Sequence, residues 1–248
     1  MRKQSTRGTS ARYAEQKALL IALSDDLTLP LLQIRSSLEL LAQADFPKKE
    51  VRAQAQSMAM SADNGLLLAE AYRMVLQTDS LHELPLETVS IGRLLDEVAQ
   101  QISPYASEYS TRLEVDVQSR LTPVLAHRAS LEAALQCLGT SLIRAQAAQS
   151  QKSEYRLILG AHRSRDQEIA TGVFTDINGL SDRSLRAARS LVGKARQPLP
   201  ALPAGAASGV LLADVLCAAM WQPLRAAAHR NMNGLVVGVP TTKQMQFV

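Results

Sequence analysis

Aromatic residues are scarce in this chain. Its 248 residues include three Phe, five Tyr and one Trp, 4% in all. A core cannot be organised around stacked rings and must be built from Leu, Ala and Val, a composition that suits helices joined along Ala/Leu seams. Cysteine is scarce as well. Cys137 and Cys217 sit inside apolar helical patterns, and neither has a partner at C-x-x-C or zinc-ligand spacing. That excludes a disulfide-stapled secreted scaffold and a zinc module, and both thiols read as buried groups in a reducing compartment. No apolar run reaches the roughly 20 residues a membrane span needs, and the charged-then-apolar layout of a signal peptide is missing. The expectation is a cytoplasmic protein with no membrane association. Ser-His-Asp, zinc and P-loop patterns are absent too.

Charge of one sign is not abundant either. The net charge is +4, and Arg2, Lys3, Arg7 and Arg12 alone supply four positive charges. Residues 1–10 read as a disordered, solvated basic tail. Without interleaved aromatics the tail does not suit a nucleic-acid arm, and no nucleic-acid partner is expected. The remainder, 46% hydrophobic and 20% charged overall, is ordinary for a globular protein.

Heptad-like seams are present. Leu20, Ser24, Leu27, Leu31, Ile34, Leu38 and Leu41 follow a four-three spacing, with Pro30 bending the helix by removing one backbone hydrogen bond. Ala-Asp-Phe-Pro at 44–47 ends that helix. A second seam runs through Val51, Ala55, Met58, Ala62, Gly65, Ala69, Tyr72 and Leu76. Residues 11–80 therefore read as an antiparallel helical hairpin. One hairpin leaves an apolar side wet, so two should pair into a four-helix bundle, making the protein a homodimer. Residues 81–89 form a linker.

From residue 90 to 248 the pattern is α/β. Ser90 is placed to cap a helix running to about Ile102. Strands are expected at Arg112–Val117, Pro123–Ala126, Tyr155–Ala161, Ala170–Asp176, Leu224–His229 and Leu235–Val239. Helices are expected over Ser130–Ala148, from Ser184, and over Gly209–Met220. Of the four histidines, His82 falls in the linker, His127 at a strand end, His162 in a loop and His229 in a hairpin. Each reads as a surface or capping group.

The stretch Leu23-Ser24-Asp25-Asp26-Leu27-Thr28-Leu29-Pro30-Leu31, ending in Leu38-Glu39-Leu40-Leu41, resembles the phosphoacceptor box of sensor histidine kinases, S-H-E-L-R-T-P-L followed by L-E-L-L. Asp25 stands where that family has its reactive histidine. The order of elements that follows resembles the ATP-binding domain shared by histidine kinases, gyrases and heat-shock-90 chaperones. The resemblance covers nearly the whole chain from about residue 12. It implies an α+β fold, in which a bundle-forming hairpin precedes an α/β sandwich of histidine-kinase ATPase type. A typical family member has a sensing domain before the box, which here begins about two dozen residues from Met1, so no built-in sensor is expected.

The resemblance also says which residues should carry phosphoryl transfer, and these positions have changed. Leu131 to Ala145 is similar to the family's N-x-x-x-N helix, with Cys137 and Ser141 at the two asparagines and Arg144 at the basic position. Magnesium requires hard oxygen ligands in near-octahedral geometry. Cysteine is too soft, and a serine hydroxyl is too short to reach the same point. In the stretch similar to D-x-G-x-G, Asp176 and Gly179 are kept and the first glycine is lost, with Asn178 a residue able to take a positive φ at modest cost. Where the family has G-x-G-L-G-L-A at a phosphate-holding helix start, the chain has Ala207-Ser208-Gly209-Val210-Leu211-Leu212-Ala213, so Gly209 alone survives. Leu29 replaces the residue that assists phosphatase activity.

Imidazole is a competent nucleophile toward a γ-phosphate near neutral pH, and a carboxylate is a poor one. The reading is therefore a histidine-kinase-like pseudokinase of two-component signalling with no catalytic residues and no expected cofactor. It would act as a dimeric docking scaffold or regulator for a response-regulator receiver domain or another kinase. Asp25, Asp26, Thr28, Gln33 and Arg35 are the expected docking surface. Two alternatives stand beside it. One is an active kinase or phosphotransferase with diverged motifs, using ATP and Mg²⁺. The other is a regulator that binds a different small ligand in the remodelled nucleotide cleft.

Overall fold

A computed structural model describes residues 27–42, 47–76, 85–149, 154–164, 168–191, 202–203, 206–220 and 223–242. Helix α1 spans 27–42 and α2 spans Lys48–Leu76. Pro47 O accepts from the backbone of Glu50 and Val51 and so opens α2. Pro30 lies inside α1 and is buried, because the legs of the hairpin meet there: a Cβ on Gly65 would lie 3.7 Å from Pro30 Cγ and 3.8 Å from Leu27 Cδ2. Lower down, Ser61 Oγ donates to Gln33 Oε1 at 3.2 Å.

Helix α2 presents two faces. Ser61, Asn64, Leu68, Ala71, Tyr72 and Val75 are buried at three- and four-residue steps, and this face packs on the helices of the second layer. The face expected to be the seam is different. Of its members only Tyr72 is buried, while Val51, Ala55 and Ala62 are exposed. On α1, Leu31 and Leu38 of the other seam are 62% and 53% exposed, with Leu29, Leu32 and Leu40 also exposed. Within one chain the seam residues are thus largely uncovered, because α2 spends its neighbouring face on the sandwich.

The second layer begins with β1 (Glu87–Val89), at the end of the stretch read as linker, and α3 (Ile91–Glu108). Then come β2 (Thr111–Val117), β3 (Val124–Ala126), α4 (Arg128–Ala148), β4 (Tyr155–Arg163), β5 (Glu168–Thr175), α5 (Asp182–Leu191), α6 (Ala207–Ala219), β6 (Arg225–His229) and β7 (Met232–Pro240). Five strands form one sheet in the order β2-β4-β5-β7-β6, with β2–β4 parallel and every other pair antiparallel. Strands β1 and β3 form a separate antiparallel pair. The fold class is α+β. Among the described residues no helix is long and apolar enough to cross a membrane.

Helix α4 is the centre of the core. Between Ser130 and Gln146 every residue except Glu132, Gln136 and Arg144 is buried. Its N-terminus is capped by His127, whose Nδ1 accepts from Ser130 N. Ser90 occupies the cap position of α3 in extended geometry, but its side chain makes no capping bond. Pro104 does not stop α3, which runs on to Glu108 rather than ending near Ile102. His162 lies in β4 and not in a loop.

Strand β4 is buried on both faces because the sheet carries two apolar clusters. Leu157 and Leu159 face the helices, and Ile158 joins Phe174, Ala170, Met232 and Val236 on the other side. Phe174 lies so flat on that outer face that a Cβ at Gly160 would sit 2.7 Å from its ring, and one at Gly234 2.4 Å. Glycine is required at both positions by this close approach.

One buried charge ties the end of the fold together. Asp214 is 6% exposed in apolar α6 and accepts two bonds of 2.7 Å from Arg189 of α5. Arg189 also donates to Leu224 O, and Leu224 N donates to Asp214 Oδ1 at 2.9 Å. The carboxylate beside it holds the Arg189 guanidinium above its ordinary range, against burial. Breaking a buried pair from one side strands the other charge. Asp214→Ala should therefore lower stability by about 2–4 kcal/mol, short of the largest such losses because Arg189 keeps some solvent. Urea unfolding of the variant measures it, and a change under about 0.5 kcal/mol would refute the assignment.

Candidate functional site

Asp25 and Asp26 lie outside the described residues. Thr28, Gln33 and Arg35 are exposed on α1, but they do not form one surface. Thr28 and Arg35 are two helical turns apart and share a face. Gln33 turns toward α2, where it accepts from Ser61. Arg35 pairs with Glu39 one turn on, at 3.1 Å. Leu29, at the position of the phosphatase helper, is 48% exposed.

The remodelled nucleotide positions converge on α4 and α6. Cys137 and Ser141 are one turn apart on α4 and almost fully buried, at 0% and 1% exposure. Gly209 lies in the first turn of α6 and packs directly on them. A Cβ there would fall 1.7 Å from Ser141 Oγ and 2.6 Å from Cys137 O. The helix start that would cradle phosphates is pressed against the helix that would hold the metal. Ser141 Oγ is buried without a hydrogen-bond partner, yet there is no room between it and Gly209 for an ion or a phosphate. This donor set does not fit magnesium-triphosphate, and no step of phosphoryl transfer is derived from it.

Asp176 and Gly179 lie in the turn after β5. Asp176 is exposed, and its charge acts on Arg156. Gly179 alone takes the positive φ, at +93°, and packs 3.6 Å (through a notional Cβ) from Pro203 Cγ. Asn178 is not in the left-handed region. Arg144, at the basic position, has its Nε buried and unpartnered. Cys217 is buried in α6, and burial pushes its thiol far above the ordinary range.

Other polar residues are built into the site without a sequence motif. Gln146, fully buried at the end of α4, donates to Arg156 O and Thr175 Oγ1 and so fixes α4 to β4 and β5. On the outer sheet face His229 Nε2 meets Asp116 at 2.6 Å, Arg230 reaches the same carboxylate at 2.8 Å, and His162 stacks on His229. Burial holds the His162 imidazole below its ordinary range. Asp214 did leave a signal, as a lone carboxylate in an apolar helix. The contact of Asp116 on β2 with His229 on β6, 113 residues apart and on opposite edge strands of the sheet, left none.

No family model matches the chain, and no curated protein matches it in sequence. Solved structures do resemble it. The Acinetobacter baumannii histidine kinase AdeS superposes with a TM-score of 0.55 at 14% identity, over 88% of this chain and 98% of that one. Full-length ShkA in complex with AMPPNP gives 0.52 at 18%, over 91% of this chain and 46% of that one. Histidine kinase ThkA in complex with the response regulator protein TrrA gives 0.54 at 11%, over 95% and 65%. The chain thus spans less than half of the ShkA chain. It has the fold of the sensor histidine kinases, a helical hairpin followed by an ATPase-type sandwich.

The α4–α6 contact makes a prediction. Gly209→Ala should separate the helices and cost about 1–3 kcal/mol by overpacking. Ser141→Asn, which restores the family residue, should also destabilise the fold and not create a magnesium site. Thermal unfolding with and without Mg²⁺ checks both, and a magnesium-dependent rise in Tm for Ser141→Asn would refute the packing argument.

Proposed function

We propose that this protein is a catalytically silent relative of histidine kinases, a cytoplasmic homodimer that docks a receiver domain or a kinase and so regulates two-component signalling. In this reading residues 1–10 are a tail, 11–80 the dimerising hairpin, 81–89 a linker and 90–248 the ATPase-type domain. The observation that carries it is the close contact of Gly209 with Ser141 and Cys137, in a chain that has Asp25 at the position of the phosphoacceptor. Nucleophile, metal ligand and phosphate cradle are altered in three separate segments, which supports loss of every step of phosphoryl transfer and not of one alone.

The uncovered leucines of α1 support the dimer. Leu31 and Leu38 lie on the same stripe and are more than half exposed, as they would be in one half of a four-helix bundle. The response-regulator complex of the structural relative ThkA supports a receiver as partner. Docking needs surface and not chemistry, and Thr28 and Arg35 supply an exposed face on α1.

The decisive experiment is nucleotide titration. Millimolar Mg-ATP should leave the melting temperature unchanged, whereas a ligand at a hundredfold over its Kd would add about 2.7 kcal/mol. Asp25→His should not become labelled from γ-labelled ATP. A Tm rise with ATP, or label on the new histidine, would return the active-kinase reading. For the dimer, Leu31→Glu with Leu38→Glu should yield folded monomers by light scattering, and a wild-type protein that is monomeric at micromolar concentration would end that part of the proposal.

A further inference from the structure

A cleft of about 340 Å³ lies between α2, α3 and α4 and is lined on α4 by Gln136 and Thr140, the neighbours of Cys137 and Ser141. Its apolar wall is made by Leu67, Ile102, Pro104 and Tyr105, with Met60 at one end. Its polar groups offer acceptors beside the amide donors of Asn64 and Gln101. Asn64 is 8% exposed, and its carboxamide oxygen is buried with no hydrogen-bond partner. Thr140 is 6% exposed and spends its hydroxyl proton on Gln136 O and Cys137 O, leaving only lone pairs. Gln101 and Gln136 each donate to the Glu132 carboxylate, and Gln136 also donates to Gln101 Oε1. Asp63 adds an exposed carboxylate, and no Lys or Arg lines the cleft among the described residues. Arg144 acts on the Tyr105 hydroxyl but is not part of the lining.

An adjoining cleft of about 510 Å³ shares Met60 and Tyr105 and continues toward α1. It too has an acid, Glu108, and no basic lining residue among those described. Burial keeps the Tyr105 hydroxyl neutral by pushing it above its ordinary range, so its ring stays an uncharged π face. A pocket with a carboxylate, an unpartnered carboxamide oxygen, apolar and aromatic walls and no basic lining residue among those described is complementary to a donor that carries positive charge and an apolar body. A buried acceptor without a partner is costly to leave unmade, and an N–H of such a ligand would satisfy Asn64.

We propose that this cleft binds a small amphipathic organic ammonium, its N–H groups on Asn64, Asp63 and Thr140 and its hydrocarbon part against Leu67, Ile102 and Tyr105. Because α2 forms one wall while α3 and α4 form the other, the bound amine ties the hairpin to the sandwich. The site stands whether or not the nucleotide positions bind anything.

Calorimetry and thermal shift on the full chain with phenethylamine, phenylethanol and phenylacetate test it, since the three share a ring and differ in the head group. Phenethylamine should bind about tenfold more tightly than phenylethanol, the ratio expected for a charge-assisted hydrogen bond over a neutral one, and phenylacetate should not bind. Asn64→Leu keeps the shape and removes the acceptor, so it should abolish the preference for the amine. Asp63→Asn, at an exposed position that leaves the fold intact, should weaken the amine alone. Equal affinity for all three probes, no binding at millimolar amine, or amine binding untouched by Asp63→Asn would each overturn the site.

Discussion

The architecture depends on how closely α6 approaches α4. Gly209 has no side chain, and the space a Cβ would need is already taken by Ser141 and by the carbonyl of Cys137. Backbone therefore packs on backbone, and Val210, Ala213, Leu216 and Cys217 enter the main core behind it. Dispersion gained across such a contact falls steeply with a gap of an ångström, so the helices hold a single spacing. The same contact takes the volume in which a phosphate-binding loop would have to open.

The hairpin depends on that layer in turn. Helix α2 buries Leu68, Ala71, Tyr72 and Val75 in the core built around α4, so one helix serves two masters at different angles around its axis. Its stripe through Gly65 closes on α1, where small side chains let Pro30 and Leu27 come near. Leu31 and Leu38 of α1 stay exposed among the described residues. An exposed apolar stripe with four-three spacing is what the proposed dimer requires.

Much of the fold was legible in the sequence. Alternation over Arg112–Val117, apolar runs at Tyr155–Ala161 and Leu235–Val239, and the Ala/Leu periodicity of Ser130–Ala148 each predicted an element that formed, with ends shifted by a few residues. Strand β1 was not legible, since three residues carry no periodicity and its partner β3 lies more than thirty residues on. The apolar stretch ends before β4 does, so the sequence alone places His162 in a loop, while pairing with Ile169 and Ala170 carries the strand on. The altered motif residues Cys137, Ser141 and Gly209 could be picked out one by one by their resemblance to kinase boxes. That they touch could not.

By itself the sequence determined the class of each long element and the hairpin-then-sandwich order, because periodicity and residue type are local properties. The tertiary structure decided what those local facts amount to. It decided which face of α2 is buried, since two apolar stripes on one helix look alike until a neighbour takes one. It set Gln33 in contact with Ser61 of α2. It brought Asp214 to Arg189 and Asp116 to His229 across long stretches of chain. And it pressed Gly209 onto Ser141, a distance set by how side-chain volumes pack in three dimensions, which no spacing along the chain encodes.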